Sequence, residues 1–185
     1  MAIIDLLKDE FLSVSNRQAE DNKVLFALNT ALSLFENYTG YKIIQGQFTE
    51  SVIVEVPPFV YTPKRQPLIE LAEIKEQSGY FITPIYLYSQ IELIGVNITR
   101  LLLGATGVYN ITYTGGFAPD TASDLSAIPY GIREAIYHLT EWIVEKWKRG
   151  LIAMDEKSEF GGLRSTKDLD DYIKSVLNMW VVIDV

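Results

Sequence analysis

Among side chains able to do chemistry, His138 is the chain's single histidine. Glu134 lies four residues before it and Glu141 three after, so a helix through this stretch places all three on one face, a geometry open to a divalent metal. No second histidine exists to complete a typical ligand set, and an imidazole among carboxylates on the polar side of an amphipathic helix needs no ligand role. A Ser-His-Asp triad would have to use the same His138, and no Gly-x-Ser-x-Gly elbow occurs. Gly104-Ala105-Thr106-Gly107 and Gly115-Gly116 lack both a following Lys-Ser/Thr and the G-x-G-x-x-G spacing of phosphate-cradling loops; they read as turns. Asp155-Glu156 and Asp170-Asp171 pair carboxylates in stretches where a solvated charged surface explains them better than acid/base work. Lys146, Lys148 and Arg149 close a helix, where cations complement its negative end before any phosphate contact is invoked. There are no cysteines, which excludes disulfides and thiolate zinc sites. These residues make no catalytic, cofactor-binding or metal-ligating constellation, so neither an enzyme nor a cofactor is expected.

The elements that would position these residues follow from composition and period. At 185 residues, 48% hydrophobic and 22% charged, the chain suits one domain with a real core. A formal charge of −8 is the opposite of the footprint left by proteins that grip nucleic acid, although an acidic wall lets DNA pass. The acid at Asp5 and the lack of a basic region before an apolar run argue against a signal peptide, and no apolar run nears the ~18 residues of a membrane span. The expectation is a soluble intracellular product with no membrane partner.

Ile3, Ile4, Leu6, Leu7, Phe11 and Leu12 predict a short amphipathic helix capped near Asp5. A second helix spans about residues 19–38, with Val24, Leu25, Leu28, Ala31, Leu32, Phe35 and Tyr38 on one face and Thr39-Gly40 as its stop. Phe26 falls nearly opposite that stripe. The period then changes to two, with strands predicted around residues 51–56, 68–75, 80–88, 90–94, 98–103 and 108–113 and a brief extended piece at 59–61. Strands in a row joined by short turns predict an antiparallel meander or small barrel. Pro129 opens the longest helix, whose stripe is Ile132, Ala135, Ile136, Leu139, Trp142, Ile143 and Trp147, ending at Gly150. A polar connector leads to a last helix starting near Ser165 or Thr166 with Leu169, Tyr172, Ile173, Val176, Leu177 and Trp180 as its stripe. The fold class is therefore α+β: a small four-helix bundle with an antiparallel β-sheet or small barrel inserted between helices two and three. Within one domain over 1–185, the helices occupy 1–45, the β insertion 46–114, the core helix with its leading loop 115–150, and the connector, helix and tail 151–185.

Two apolar features lie outside this core plan. Tyr130, Tyr137 and Val144 repeat every seven residues, about 140–180° from the stripe of the long helix, and Phe26 makes a similar off-face spot. Scattered surface aromatics or cover from the last helix would account for them; so would a subunit interface, where Tyr and Phe are enriched. The chain also ends in Trp180, Val181, Val182, Ile183, Asp184 and Val185, a β-prone apolar tail that wants a surface.

The order of several short motifs resembles the head-tail connector (adaptor, or head-completion) proteins of tailed bacteriophages. These are Asn37-Tyr38-Thr39-Gly40 at the end of the second helix, Tyr113-Thr114-Gly115-Gly116-Phe117 closing the β segment, Ile128-Pro129-Tyr130 opening the long helix, and Lys157-Ser158-Glu159-Phe160-Gly161 in the connector. The β region between Gln45 and Tyr113 is longer than the hairpin of compact members. The resemblance implies a structural virion protein located at the head-tail interface after assembly in the host cytoplasm. It implies a ring of about twelve subunits beneath the portal protein that extends the DNA channel without specific DNA binding and docks stopper or tail proteins. The isolated subunit would then be a monomer. In such a ring Phe26, Tyr130, Tyr137 and Val144 are candidate subunit contacts, and Trp180, Val181, Val182, Ile183 and Val185 a candidate portal contact, by strand addition. Other readings are a stopper or tail-end protein, and a ligand-binding module that uses the inserted sheet.

Overall fold

The computed structural model describes residues 1–15, 21–76, 90–93, 96–148 and 171–181. Ile3, Leu7 and Phe11 recur at four-residue steps and are all buried, which makes α1 (Ile3–Ser15) a one-faced helix. Its first turn is tied down by the Ile3 N–H donating to the Asp120 carbonyl at 2.9 Å and by a bridge between Ala2 and Thr121. Asp5 lies inside that turn, beside the positive end of the dipole, and is not the cap. α2 (Asp21–Thr39) buries the expected Val24, Leu28, Ala31, Leu32 and Phe35, but also Ala27, Thr30 and Leu34. It is thus covered on more than one side, and the Thr30 hydroxyl is satisfied by the Phe26 carbonyl one turn back. Gly40, at φ 84°, ends it as a left-handed residue, its N–H donating to the Glu36 carbonyl.

The inserted strands are β1 (Gly46–Val54), β2 (Phe59–Tyr61), β3 (Leu68–Glu76), β4 (Gln90–Leu93), β5 (Val96–Thr99), β6 (Leu101–Leu103) and β7 (Gly107–Gly115). All pairings among them are antiparallel, giving sheets β1-β7-β3, β2-β6 and β4-β5. A meander would pair neighbours in sequence, whereas among the described residues only β4 and β5 do so; the strand expected at 80–88 lies outside them. The first strand instead lies along the last, with Gly46 opposite Gly115 and Val52 opposite Tyr109. This arrangement returns the chain to the end of α2, so that α3 can pack on α2. Residues 41–45 and 116–118 complete the closure, with the Gln45 N–H donating to the Ala118 carbonyl and the Phe117 N–H to the Ile43 carbonyl.

Gly115 and Gly116 are therefore points of close approach and not a turn. A Cβ on Gly115 would lie 2.3 Å from the Arg65 carbonyl oxygen, and one on Gly116, at φ 120°, 2.7 Å from the Gln45 Cα. Only glycine fits. The adjoining core, Val52, Val54, Leu101, Leu103, Tyr109, Ile111 and Tyr113, is contributed by alternate residues of β1, β6 and β7.

α3 (Tyr130–Lys148) follows Pro129, whose carbonyl accepts from the Ile132 and Arg133 N–H groups. Ile132, Ala135, Ile136, Leu139 and Ile143 are buried as the stripe requires. Trp142 and Trp147 are only half-buried, and each carries an ammonium over its ring, Lys146 at 5.6 Å and Lys23 at 4.9 Å. α4 (Asp171–Asn178) adds Ile173 and Leu177 to the core that α1, α2 and α3 share. The result is a four-helix bundle with an antiparallel β insertion between α2 and α3, as the period changes predicted. The expected stop at Gly150, the connector and the start of the last helix lie outside the described residues.

Candidate functional site

The predicted seam on α3 divides. Tyr130 is 60% exposed, but Tyr137 and Val144 are 8% and 5% exposed and belong to the helical core. For Tyr137 the physical reason is α1: its ring meets Phe11 at 5.7 Å, and its hydroxyl donates to Glu10 at 2.6 Å. Arg133, one turn before Tyr137, donates to both Glu10 oxygens at 2.5 and 2.6 Å. The seam thus packs on a second surface as its pattern demanded, but that surface is part of the same chain. The expectation that Tyr137 and Val144 are open to a neighbouring subunit is corrected accordingly. Burial and the Glu10 carboxylate raise the Tyr137 pKa far above its ordinary value near 10, because both disfavour a second negative charge. Phe26 is half-buried.

The tail also divides. Trp180, 6% exposed, is a core residue whose indole lies against Gly131; a Cβ there would fall 2.8 Å from the ring. It is not free to serve as an outward contact. Its turn is closed by the Trp180 N–H donating to the Leu177 carbonyl, and Tyr38 holds the end of α4 by donating to the Asn178 side chain at 2.7 Å. Val181 is half-buried and lines a cleft of about 340 Å³ formed with the end of α2 and the loop from Thr62 to Arg65. Val182, Ile183 and Val185 lie outside the described residues. This cleft sits between helical and β parts rather than in the sheet, where a ligand-binding module would have been expected to hold its ligand.

Sequence reading missed two polar anchors. Glu50 on β1 accepts the hydroxyls of Tyr61 and Tyr113, the latter at 2.5 Å, and the Lys64 N–H at 3.2 Å; Tyr113 in turn accepts the Arg65 N–H at 2.9 Å. Burial and the Glu50 carboxylate together push the Tyr113 pKa far upward. Gln66 is fully buried: its side chain accepts the Leu68 and Thr99 N–H groups and donates to the Pro63 and Thr99 carbonyls. No motif announces either anchor, since Tyr113 reaches Glu50 across 63 residues and Thr99 reaches Gln66 across 33.

His138 is half-buried on α3, and among the described residues no group of three His, Asp or Glu side chains is placed to hold a metal ion. No helix among them is long and apolar enough to cross a membrane. Exposed apolar side chains concentrate in the β insertion. Val56 is 76% exposed, and Ile53, Phe59 and Val60 beside it, with Ile69 and Leu71 on β3, are also open to solvent.

No family model matches the sequence, and no curated protein matches it. Solved structures do share its fold. A chain from the neck of a native gene transfer agent (GTA) particle, computed with C12 symmetry, is 16% identical with a TM-score of 0.57, covering all of this chain and 93% of that one. A chain from the neck of the empty GTA particle, computed with C6 symmetry, gives 14% identity and a TM-score of 0.60, covering all of this chain and 94% of the other. A chain of the native GTA virion gives 16% and 0.56, again over the whole of this chain and 94% of that one.

Proposed function

We propose that this chain is a head-tail connector subunit of a phage-like particle, a structural protein and not a catalyst. It forms a ring of about twelve copies beneath the portal protein, extends the DNA channel, and presents a platform to stopper or tail proteins. The observation that carries this reading is the likeness, over its whole length, to chains from the neck of a particle computed with C12 symmetry. Two features of the chain support it. The net charge of −8 suits a wall past which DNA moves without being held. Exposed Tyr130 and the apolar group at Ile53, Val56, Phe59 and Val60 are surfaces that an assembly would cover.

In this reading a heterologous contact uses two different patches on each subunit, with Tyr130 in one and half-buried Phe26 in the other. Val181 and the residues after it face the portal, while Trp180 anchors them to the bundle. The test is co-expression with the portal protein of the same particle. Wild-type chain is expected to co-purify with the portal as a multimer. Tyr130→Asp, a change at an exposed position, is expected to abolish the multimer while leaving the thermal melt unchanged. Undiminished multimer formation by that variant would remove Tyr130 from the interface, and a wild-type chain that ignores the portal would refute the connector reading itself.

A further inference from the structure

We infer that the cleft between the end of α2 and the loop from Thr62 to Arg65 is a docking site for a carboxylate-bearing peptide segment of a partner polypeptide. The cleft, about 340 Å³, carries Lys64 and Arg65 on one wall and Asn37, Tyr38 and Val181 on the other sides. Among the described residues neither cation has an ion-pair partner, although acids outnumber bases 24 to 16 in the chain. Glu50, the nearest acid in the hydrogen-bond network, is occupied by the Tyr61 and Tyr113 hydroxyls and the Lys64 N–H.

The loop beneath the two cations is fixed on three sides. Thr62 and Pro63 are buried, the Lys64 and Arg65 N–H groups are held by Glu50 and Tyr113, and Gln66 is locked by its four side-chain hydrogen bonds. A rigid base presenting an ammonium and a guanidinium loses little entropy on binding a carboxylate, which the guanidinium can grip with two parallel hydrogen bonds. Asn37 is exposed, and its side-chain amide offers a donor and an acceptor suited to a peptide group. Val181 and Pro63 give an apolar wall for the residue next to the acid. Duplex DNA fits less well: two cations on a chain of net charge −8 make a poor phosphate track. The inference stands apart from the connector reading, since it rests on the cleft alone.

The experiment is fluorescence anisotropy at low ionic strength on the full chain. The probes are a labelled peptide of alternating glutamate and valine, its glutamine-for-glutamate counterpart, and a labelled DNA duplex. The glutamate peptide is expected to bind saturably. Its affinity should fall about tenfold or more in Lys64→Gln/Arg65→Gln, a loss matching one charge-assisted hydrogen bond, and also in Val181→Glu. The backbone contacts of the loop survive the first pair of changes, so the thermal melt should not move. Equal affinity for the glutamine peptide, unchanged affinity in the variants, or no binding by the wild type would each overturn the proposal. So would tighter binding of DNA that the same variants abolish, which would make the cleft a phosphate site instead.

Discussion

Glu10 is the residue on which the helical half turns. Its carboxylate takes three donated hydrogen bonds from α3, two from Arg133 and one from Tyr137, across 123 and 127 residues of sequence. Truncation in Glu10→Ala strands a buried hydroxyl and a guanidinium that is 17% exposed. The expected loss is about 1–3 kcal/mol, measured by denaturant unfolding. The buried tyrosines make a second expectation at this scale. Tyr41 is pushed up to about 12 by burial, and Tyr113 and Tyr137 are raised further by their carboxylate partners. A tyrosine whose folded pKa exceeds its unfolded value near 10 binds more protons folded than unfolded at alkaline pH. Its contribution is complete below pH 10 and is lost as pH climbs toward the folded value. Stability should therefore be flat in this respect near neutrality and fall from pH 10 upward. An absorbance titration should show these tyrosines ionising only with the alkaline unfolding step. Full ionisation of all eleven tyrosines in a still-folded chain would contradict their burial.

Among elements, the helices were the legible part. A 3.6-residue period names the buried face of α2 and α3 almost residue by residue, because an amphipathic helix has to spend its apolar side on the core. What period does not name is the partner. Tyr137 and Val144 announce a second packed side of α3, and whether α1 or another subunit fills it depends on contacts more than a hundred residues away. Trp180 carries two expectations, the end of the last helix's stripe and the start of an outward tail, and its burial against Gly131 fits the first. Strand pairing was the least legible, since β1 meets β7 across the whole insertion. The candidate site is illegible for the same reason: the Lys64 and Arg65 N–H groups are held by Glu50 and Tyr113, which come from β1 and β7.

The Gly131–Trp180 contact can be measured as a coupling. Trp180→Ala removes a buried indole and should cost about 3–5 kcal/mol. Gly131→Ala alone forces its Cβ into the ring, and the overpacking, about 1–3 kcal/mol, cancels or exceeds the helix-propensity gain of about 1 kcal/mol. In the Trp180→Ala background only that gain remains, so the same change should stabilise by about 1 kcal/mol. Additive effects in denaturant unfolding would show that the tail is not docked at α3.

At the scale of the whole molecule, the insertion begins and ends at one place. Tyr38-Thr39-Gly40 and Tyr113-Thr114-Gly115-Gly116 lie far apart in the chain, yet the segments after them run side by side, joined through Gln45 and Ala118. Such closure lets the β part grow without disturbing the bundle, in keeping with a fold shared over its full length at 14–16% identity.

The most direct test of the connector reading is electron microscopy of the chain purified together with its portal protein. A closed ring of about twelve copies, coaxial with the portal and leaving an open channel, is the predicted result. Single copies bound off-axis, or a portal bare of the chain at saturating concentration, would contradict it.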